Sequence, residues 1–327
     1  MDKGGLYPLQ FKPILRRLIW GGRRLGTVLH KPIGAESDYA ESWEISDYHD
    51  KVSLVDEGTL TGTSIRDLVH GSAAALMGKS LADCDQFPLL IKFIDAHQPL
   101  SVQVHPDDAT ARRLVNDSGK TEAWVILAAD PRSKIYAGLK RGVGRDDLRA
   151  AIAAGNVEDL LHAFEPQPGD CVLIESGTVH AIGAGVLLAE IQQMSDATFR
   201  IYDWNRLGDD GKPRPLHIRE SLESIDFDRG PVNPLEPERV KIAEGTRERL
   251  VCSKYFALER LTVNRPISVG NPDRFTILMG LKGRSEIEHE KTRITLDYGQ
   301  TLLLPAANAS CMLVPDGEAA VLTCVVP

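Results

Sequence analysis

Long apolar runs are missing from this sequence. Nowhere in its 327 residues is there a stretch approaching the ~20 apolar residues of a membrane span, and the N-terminal MDKGGLYPLQFKPILRRLIWGG has no apolar segment of signal-peptide type. Paired cysteines are missing too. The five cysteines, Cys84, Cys171, Cys252, Cys311 and Cys324, are odd in number, widely scattered and without a CxxC pair. They read as reduced thiols of a cytoplasmic protein rather than as a disulfide framework. There is also no long Lys/Arg run, and the formal net charge is −8. Both argue against nucleic-acid binding, which needs a basic face, whereas an anionic small molecule needs only locally placed cations. Composition shows neither a disordered bias nor low complexity, so the chain is long enough for one large or two medium globular domains.

What is present is mainly strand. Short alternating runs (WEIS, KVSLV) precede TSIRDLVHGSAAALMG, whose apolar residues recur at helical spacing behind a Thr63/Ser64 start that predicts a cap. FPLLIKFIDAHQPLSVQVHP reads as two strands joined by a turn near Asp95 to Pro99, then a short helix from Asp107 to Val115, then the strand TEAWVILAA. Residues 144–164 read as two short helices broken at Gly155 and Asn156. Strands return in GDCVLIES, HAIGAGVLLAEIQQM and TFRIYDW. Residues 205–240 read as a loop, with prolines from Pro213 to Pro237, and the domain boundary is placed there. The remainder is strand-rich, with turns expected at Asn271-Pro272, Lys282-Gly283 and Tyr298-Gly299.

One internal repeat organises the chain. PGDCVLIESGTVH (168–180) aligns without a gap on YGQTLLLPAANAS (298–310), and EAWVILAA resembles RFTILMG at an offset larger by about the length of the helical piece. The prediction is a mainly β fold of two tandem small barrels, residues 1–210 and 211–327, with a helical insertion near 144–164 in the first. In this alignment His180 falls on Ser310, so an imidazole in the first copy is a hydroxyl in the second.

Candidate ligands come from separate strands: Gln103 and His105 at one parity of SVQVHP, Glu122 in GKTEAW, and His180 in SGTVHAIG. Residues two apart on a strand project together, and inward residues of a barrel converge on its axis. Two imidazoles, a carboxylate and an amide oxygen form a nitrogen/oxygen set that suits zinc and also admits iron, manganese, cobalt or nickel. A lone histidine on a strand is more often held by hydrogen bonds than by a metal; it is the joint pattern that favours a metal site.

These motifs are similar to the two sequence motifs of cupins. More narrowly, IWGG, YAESWEIS, SVQVHPDD, GKTEAWVIL, GTVHAIG and EIQQMSDATFRIYDWNR resemble those of type I mannose-6-phosphate isomerases, in the short bacterial form, over most of residues 6–206. The resemblance implies two tandem cupin-type jelly-roll barrels and one zinc ion per chain bound by Gln103, His105, Glu122 and His180. It also implies an interconversion of mannose 6-phosphate and fructose 6-phosphate through an enediol. Trp20, Glu41, Lys92, Ser101, Lys120, Glu190, Asp196 and Arg200 match the family's pocket residues. Lys120 and Arg200 are candidates to stabilise developing negative charge, and Glu190, Asp196 or a metal-bound hydroxide to act as base. Lys92, Ser101, Lys120 and Arg200 are candidate phosphate partners. Gly119 stands where longer members have a histidine. The competing readings are a non-catalytic sugar-phosphate-binding regulatory cupin and a ferrous-iron cupin oxygenase; the joint presence of Lys120, Glu190 and Arg200 counts against the first.

Overall fold

The alternation read in the sequence becomes two facing sheets. The computed structural model describes residues 5–207, 211–290 and 292–327. In chain order the first part carries β1 (Ile14–Gly22), β2 (Tyr39–Ile45), the short hairpin β3 (Asp47–Tyr48) and β4 (Lys51–Val52), β5 (Leu89–Ala96), β6 (Val102–Val104) and β7 (Glu122–Ala129). It continues with β8 (Ile135–Leu139), β9 (Leu161–Phe164), β10 (Cys171–Ile174), β11 (His180–Ile182), β12 (Val186–Gln193) and β13 (Phe199–Tyr202). One sheet has the order β1-β2-β5-β12-β7-β10 and the other β13-β6-β11-β8-β9. All pairings are antiparallel.

Period-2 alternation gives each sheet two different faces. Along β12, Val186 and Leu188 face a barrel interior shared with Trp20, Ile94, Trp124, Ile135 and Ile182. Leu187, Ala189 and Ile191 face outward into a larger core that also takes Leu258, Ile277 and Leu303. Along β6, Val102 and Val104 face outward onto Leu148, Ala151 and Leu222 of covering helices. Gln103, between them, takes the opposite parity, toward the interior. Arg200, His180, Lys92 and Glu190 sit at like positions, each flanked along its strand by buried apolar residues that face outward.

The helices follow their caps. In α2 (Ile65–Met77) the Ser64 side chain accepts from Asp67 N–H at 3.0 Å, and in α3 (Asp108–Val115) Asp107 accepts from Thr110 N–H at 2.7 Å. An additional one-turn helix, α1 (Arg24–Thr27), follows β1. The expected insertion is only partly helical. α4 (Arg145–Ala154) ends at Gly155 in the left-handed region, a short 3-10 turn follows, and residues 161–164 form β9 on the sheet edge. The proline-bearing stretch 205–240 likewise contains α5 (Ile218–Ser224), which covers the smaller sheet.

The second part forms an eight-stranded antiparallel sheet from β14 (Glu238–Ile242), β15 (Gly245–Cys252), β16 (Ala257–Val263), β17 (Ile267–Val269), β18 (Thr276–His289), β19 (Thr292–Asp297), β20 (Thr301–Leu304) and β21 (Cys311–Val325). The sequence repeat is structural. β10 and β20 occupy the aligned positions, each after a glycine at positive φ (Gly169, 96°; Gly299, 81°). β10 pairs with β7 as β20 pairs with β18. Lys282-Gly283 is not a turn: β18 runs through it as a bulge, with register shifts on both sides of Lys282. The expected boundary at residue 210 lies outside the described residues. Among the described residues no helix is long and apolar enough to cross a membrane.

Candidate active site

Three strands of the smaller sheet lay one row of side chains toward the barrel interior. Arg200 on β13 is the cross-strand partner of Gln103 on β6, and Gln103 is the partner of His180 on β11. His105 lies just past β6 at the parity of Gln103. From the opposite sheet, β7 contributes Glu122 and Trp124, β12 Glu190, and β5 Lys92; Lys92, Glu190 and Trp124 form a second cross-strand row.

His105, Glu122 and His180 are buried, 1% exposed each, and one ligand atom from each lies within 4.8 Å of the others. The Nδ1 of His105 is 2.8 Å from the Ala197 carbonyl and that of His180 is 2.9 Å from the Thr178 carbonyl. A carbonyl can only accept, so both Nδ1 atoms carry hydrogen and both neutral rings turn the Nε2 lone pair inward. Those Nε2 atoms stand 3.4 and 3.5 Å from the two oxygens of Glu122. The Lys120 ammonium is 3.1 Å from Glu122 Oε2 and 3.1 Å from His105 Nε2. Neither Glu122 oxygen has an aligned hydrogen-bond donor, although a buried carboxylate without donors is costly.

The electrostatics are those of a closed site. Burial pushes the His180 imidazole down to about 3, with His105 adding to the effect. Burial also lowers His105, and Lys120 lowers it further. Burial alone would raise Glu122, but Lys120 and then His105 hold it well below the usual carboxylate range. At neutral pH the set is therefore two neutral imidazoles and one carboxylate, the protonation a divalent cation requires. These donors fit a metal ion: unprotonated nitrogens and a carboxylate oxygen that accepts no aligned hydrogen bond lie within 4.8 Å of one another.

Beside this cluster lies a narrow cavity of about 60 Å³, lined by Glu41, Lys92, Lys120, Trp124, Glu190 and Asp196 among others. Glu190 Oε1 accepts from the Trp124 indole N–H at 3.1 Å, and Oε2 is 3.0 Å from Lys92 Nζ. Burial raises the Glu190 carboxyl more than Lys92 lowers it. Burial opposes the Lys92 cation, but Glu190, Glu41 and Asp196 outweigh it and hold its pKa high. Lys92 interrupts an apolar strand because it is the counter-ion of Glu190.

The structure places the remaining predicted residues less uniformly. Glu41 accepts from Trp43 N–H at the cavity wall, and exposed Asp196 lines the cavity from the surface side. Ser101 is buried and donates to Gln103 Oε1 at 3.4 Å, behind the cluster rather than in the cavity lining. Trp20 packs in the barrel core. Arg200 forms no salt bridge with Asp196 or Asp203, the two carboxylates near it in sequence that a purely structural role would use. Asp203 is taken by Arg206 and Arg214, while Arg200 donates to the Pro215 carbonyl and leaves its buried Nε unpartnered. Trp124, which reads from sequence as core or pocket wall, is a buried part of the cavity wall; its indole bond to Glu190 depends on strand register. A larger cavity, about 740 Å³, is lined by Gln10, Lys31, Glu44, Asp297 and Tyr298. Its buried carboxylate, Glu44, is already paired with Lys31 and Ser42, so we assign the chemistry to the smaller one.

Comparison with known proteins bears directly on this arrangement. The family model of the type I phosphomannose isomerase catalytic domain matches residues 9–138, and that of the mannose-6-phosphate isomerase cupin domain matches residues 246–324. A mannose-6-phosphate isomerase of Streptococcus mutans is 33% identical over 298 residues, 91% of this chain and 92% of that protein. The chain belongs to the type I phosphomannose isomerase family. A second relative, mannose-6-phosphate isomerase ManA of Bacillus subtilis, is 32% identical over 91% of this chain and 93% of its own. The crystal structure of the mannose 6-phosphate isomerase from Bacillus subtilis superposes with a TM-score of 0.89, at 28% identity, over 98% of this chain and 99% of that one. This phosphomannose isomerase is therefore an aldose–ketose isomerase with the cupin fold of its family, and the regulatory and oxygenase readings are set aside. A further solved structure with the same fold, 18% identical with a TM-score of 0.74 over 97% of this chain and 99% of that one, is described as a mannose 6-phosphate isomerase bound with zinc and yttrium.

Proposed function

We propose that this isomerase is zinc-dependent and interconverts mannose 6-phosphate and fructose 6-phosphate by moving one proton between C1 and C2 through an enediol. The carrying observation is the buried His105–Glu122–His180 cluster, whose carboxylate is paired with Lys120 but accepts no aligned hydrogen bond, while both imidazoles aim lone pairs at it. Gln103 completes the set. Its amide is 3.3 Å from His180 Nε2, and turning the amide over would aim Oε1 there while Ser101 accepts from the nitrogen. When bound, a zinc ion would supply Lewis-acid polarisation of the sugar carbonyl.

The chain's own residues supply the rest. Glu190 is the proposed base: it lines the cavity, its two oxygens are oriented by Trp124 and Lys92, and burial raises its pKa toward the useful range. Lys120 places a fixed positive charge in the same closed space, where it stabilises oxyanion character as the proton leaves. Trp124, Ile94, Leu100 and Ile182 line the cavity with apolar surface that keeps water from competing for that charge. Lys92 is 2% exposed and committed to Glu190, so we move the phosphate role toward Arg200. That residue has a free buried N–H and lies among Arg206 and Arg214, which favours an anion. Asp196, at the cavity, is proposed as a sugar-hydroxyl contact.

The test is metal removal. Chelator-treated protein should lose isomerase activity and about one equivalent of divalent metal per chain, and zinc should restore both. Full activity in rigorously metal-free protein would contradict the reading.

A further inference from the structure

The second barrel carries no ligand set of its own: Ser310 stands at the position of His180, and among the described residues the one buried His/Glu group is that of the first barrel. Yet it reaches the catalytic segment. Tyr255 lies between β15 and β16, in a turn whose Ser253 side chain accepts from the N–H groups of Tyr255 and Phe256. Phe256 is fully buried in the core shared by the two barrels. That anchoring presents the Tyr255 hydroxyl to Asp108 of the first barrel, to which it donates at 2.7 Å.

Asp108 passes the contact on. Its Oδ1 accepts from Gly119 N–H at 3.0 Å and from the Gln193 side-chain amide at 3.0 Å. Gln193 Oε1 in turn accepts from Thr121 N–H at 2.9 Å. With Lys120 N–H bonded to the Pro106 carbonyl at 3.1 Å, every backbone donor from 119 to 121 is held. These are the residues that lead into Lys120 and Glu122. A side chain at position 119 would bring its Cβ to 2.6 Å from Asp108 N, so glycine is what lets the relay close over this segment.

We infer that Tyr255, Asp108 and Gln193 form a positioning relay through which the second barrel fixes Lys120 and Glu122 in catalytic register. The inference rests on the proposed roles of those two residues. Outer partners of this kind act by geometry, and small displacements of charged groups in an active site are costly.

The experiment is a set of variants of the full-length, metal-loaded enzyme, compared per folded molecule. Tyr255→Phe keeps the ring and removes the donor. It should lower kcat about 10-fold with little change in KM, weaken zinc retention against a chelator, and speed amide exchange at Gly119 and Thr121. Gln193→Met should do the same, and adding Tyr255→Phe to it should cost little more, because one relay is already broken. Asp108→Asn, which can still accept from Gly119 and Gln193, should recover most of what Asp108→Ala loses. Wild-type kcat and exchange in Tyr255→Phe, or full additivity in the double variant, would overturn the relay while leaving the metal site standing. His180→Ala serves as the separate control: if it retains its zinc, the metal-site reading falls and takes the relay with it.

Discussion

Gln103 and His180 stand opposite each other across the antiparallel pair β6–β11, with the amide nitrogen 3.3 Å from the imidazole Nε2. Two residues 77 apart in sequence thus become neighbours through a single strand pairing. Because Val102, Val104, Val179 and Ala181 face the outer core, neither polar side chain can turn away without reversing its strand.

Loss of one imidazole should dismantle the site. His180→Ala is expected to remain folded, lose its bound metal on gel filtration and fall to background activity. Metal analysis and a coupled assay of fructose 6-phosphate formation read this out, and normal turnover would remove His180 from the site.

Arg200→Ala should separate substrate binding from metal binding. The variant is expected to keep one metal per chain while kcat/KM drops by ~100-fold or more, since a charge-assisted phosphate contact contributes about 3 kcal/mol. The loss should be largely in KM. An unchanged rate would leave Arg200 with only its contact to the Pro215 carbonyl.

The pair Lys92–Glu190 gives a stability test that does not depend on turnover. Lys92→Met takes from buried Glu190 its ion-pair partner and should cost about 3–5 kcal/mol at neutral pH. Adding Glu190→Gln removes the stranded charge and should return most of it. Urea denaturation of the three proteins decides; a Lys92→Met protein as stable as its parent would mean the pair carries no such role.

Exchange of the C1 and C2 hydrogens with solvent distinguishes the two carboxylates. Glu190→Gln should abolish deuterium wash-in during the reaction, whereas Asp196→Asn should slow it while leaving it measurable. The opposite ranking would transfer the proton-abstracting role to Asp196.

In the second barrel, Glu248 predicts a pH dependence of stability. Its hydrogen bond from Arg260 holds the carboxyl below the usual range against the opposing effect of burial, and Arg239 adds to this. A depressed folded-state pKa stabilises the fold above the unfolded value of about 4.3 and ceases to do so as pH falls through the folded value. Glu248→Gln should therefore narrow the gap between urea midpoints at pH 7 and about pH 3.5. An identical gap in variant and parent would exclude this contribution.

Much of the site was legible because it is written in parity. Val-Gln-Val-His on one strand puts Gln103 and His105 on one face by alternation alone, whereas His180 joins them through the Pro-Gly-Asp and Gly-x-x-His pattern that resembles a cupin motif. The repeat exposed the second barrel for the same reason, since β10 and β20 preserve a glycine at positive φ and an apolar strand after it. Register is what sequence hides. The link from Trp124 to Glu190 and Lys92 exists only because β7, β12 and β5 pair as they do, and no local pattern specifies that alignment. Residues 161–164 read as helix because the preceding turn shares their composition, and α5 was obscured by the prolines around it. The contact from Tyr255 to Asp108 spans 147 residues and leaves no periodic trace.

Anomalous diffraction from crystals of the zinc-loaded protein tests the metal centre most directly. One peak is predicted, at about 2.0–2.2 Å from His105 Nε2, His180 Nε2, a Glu122 oxygen and the Gln103 amide oxygen. A fully active enzyme whose zinc peak lies away from these four side chains would contradict it.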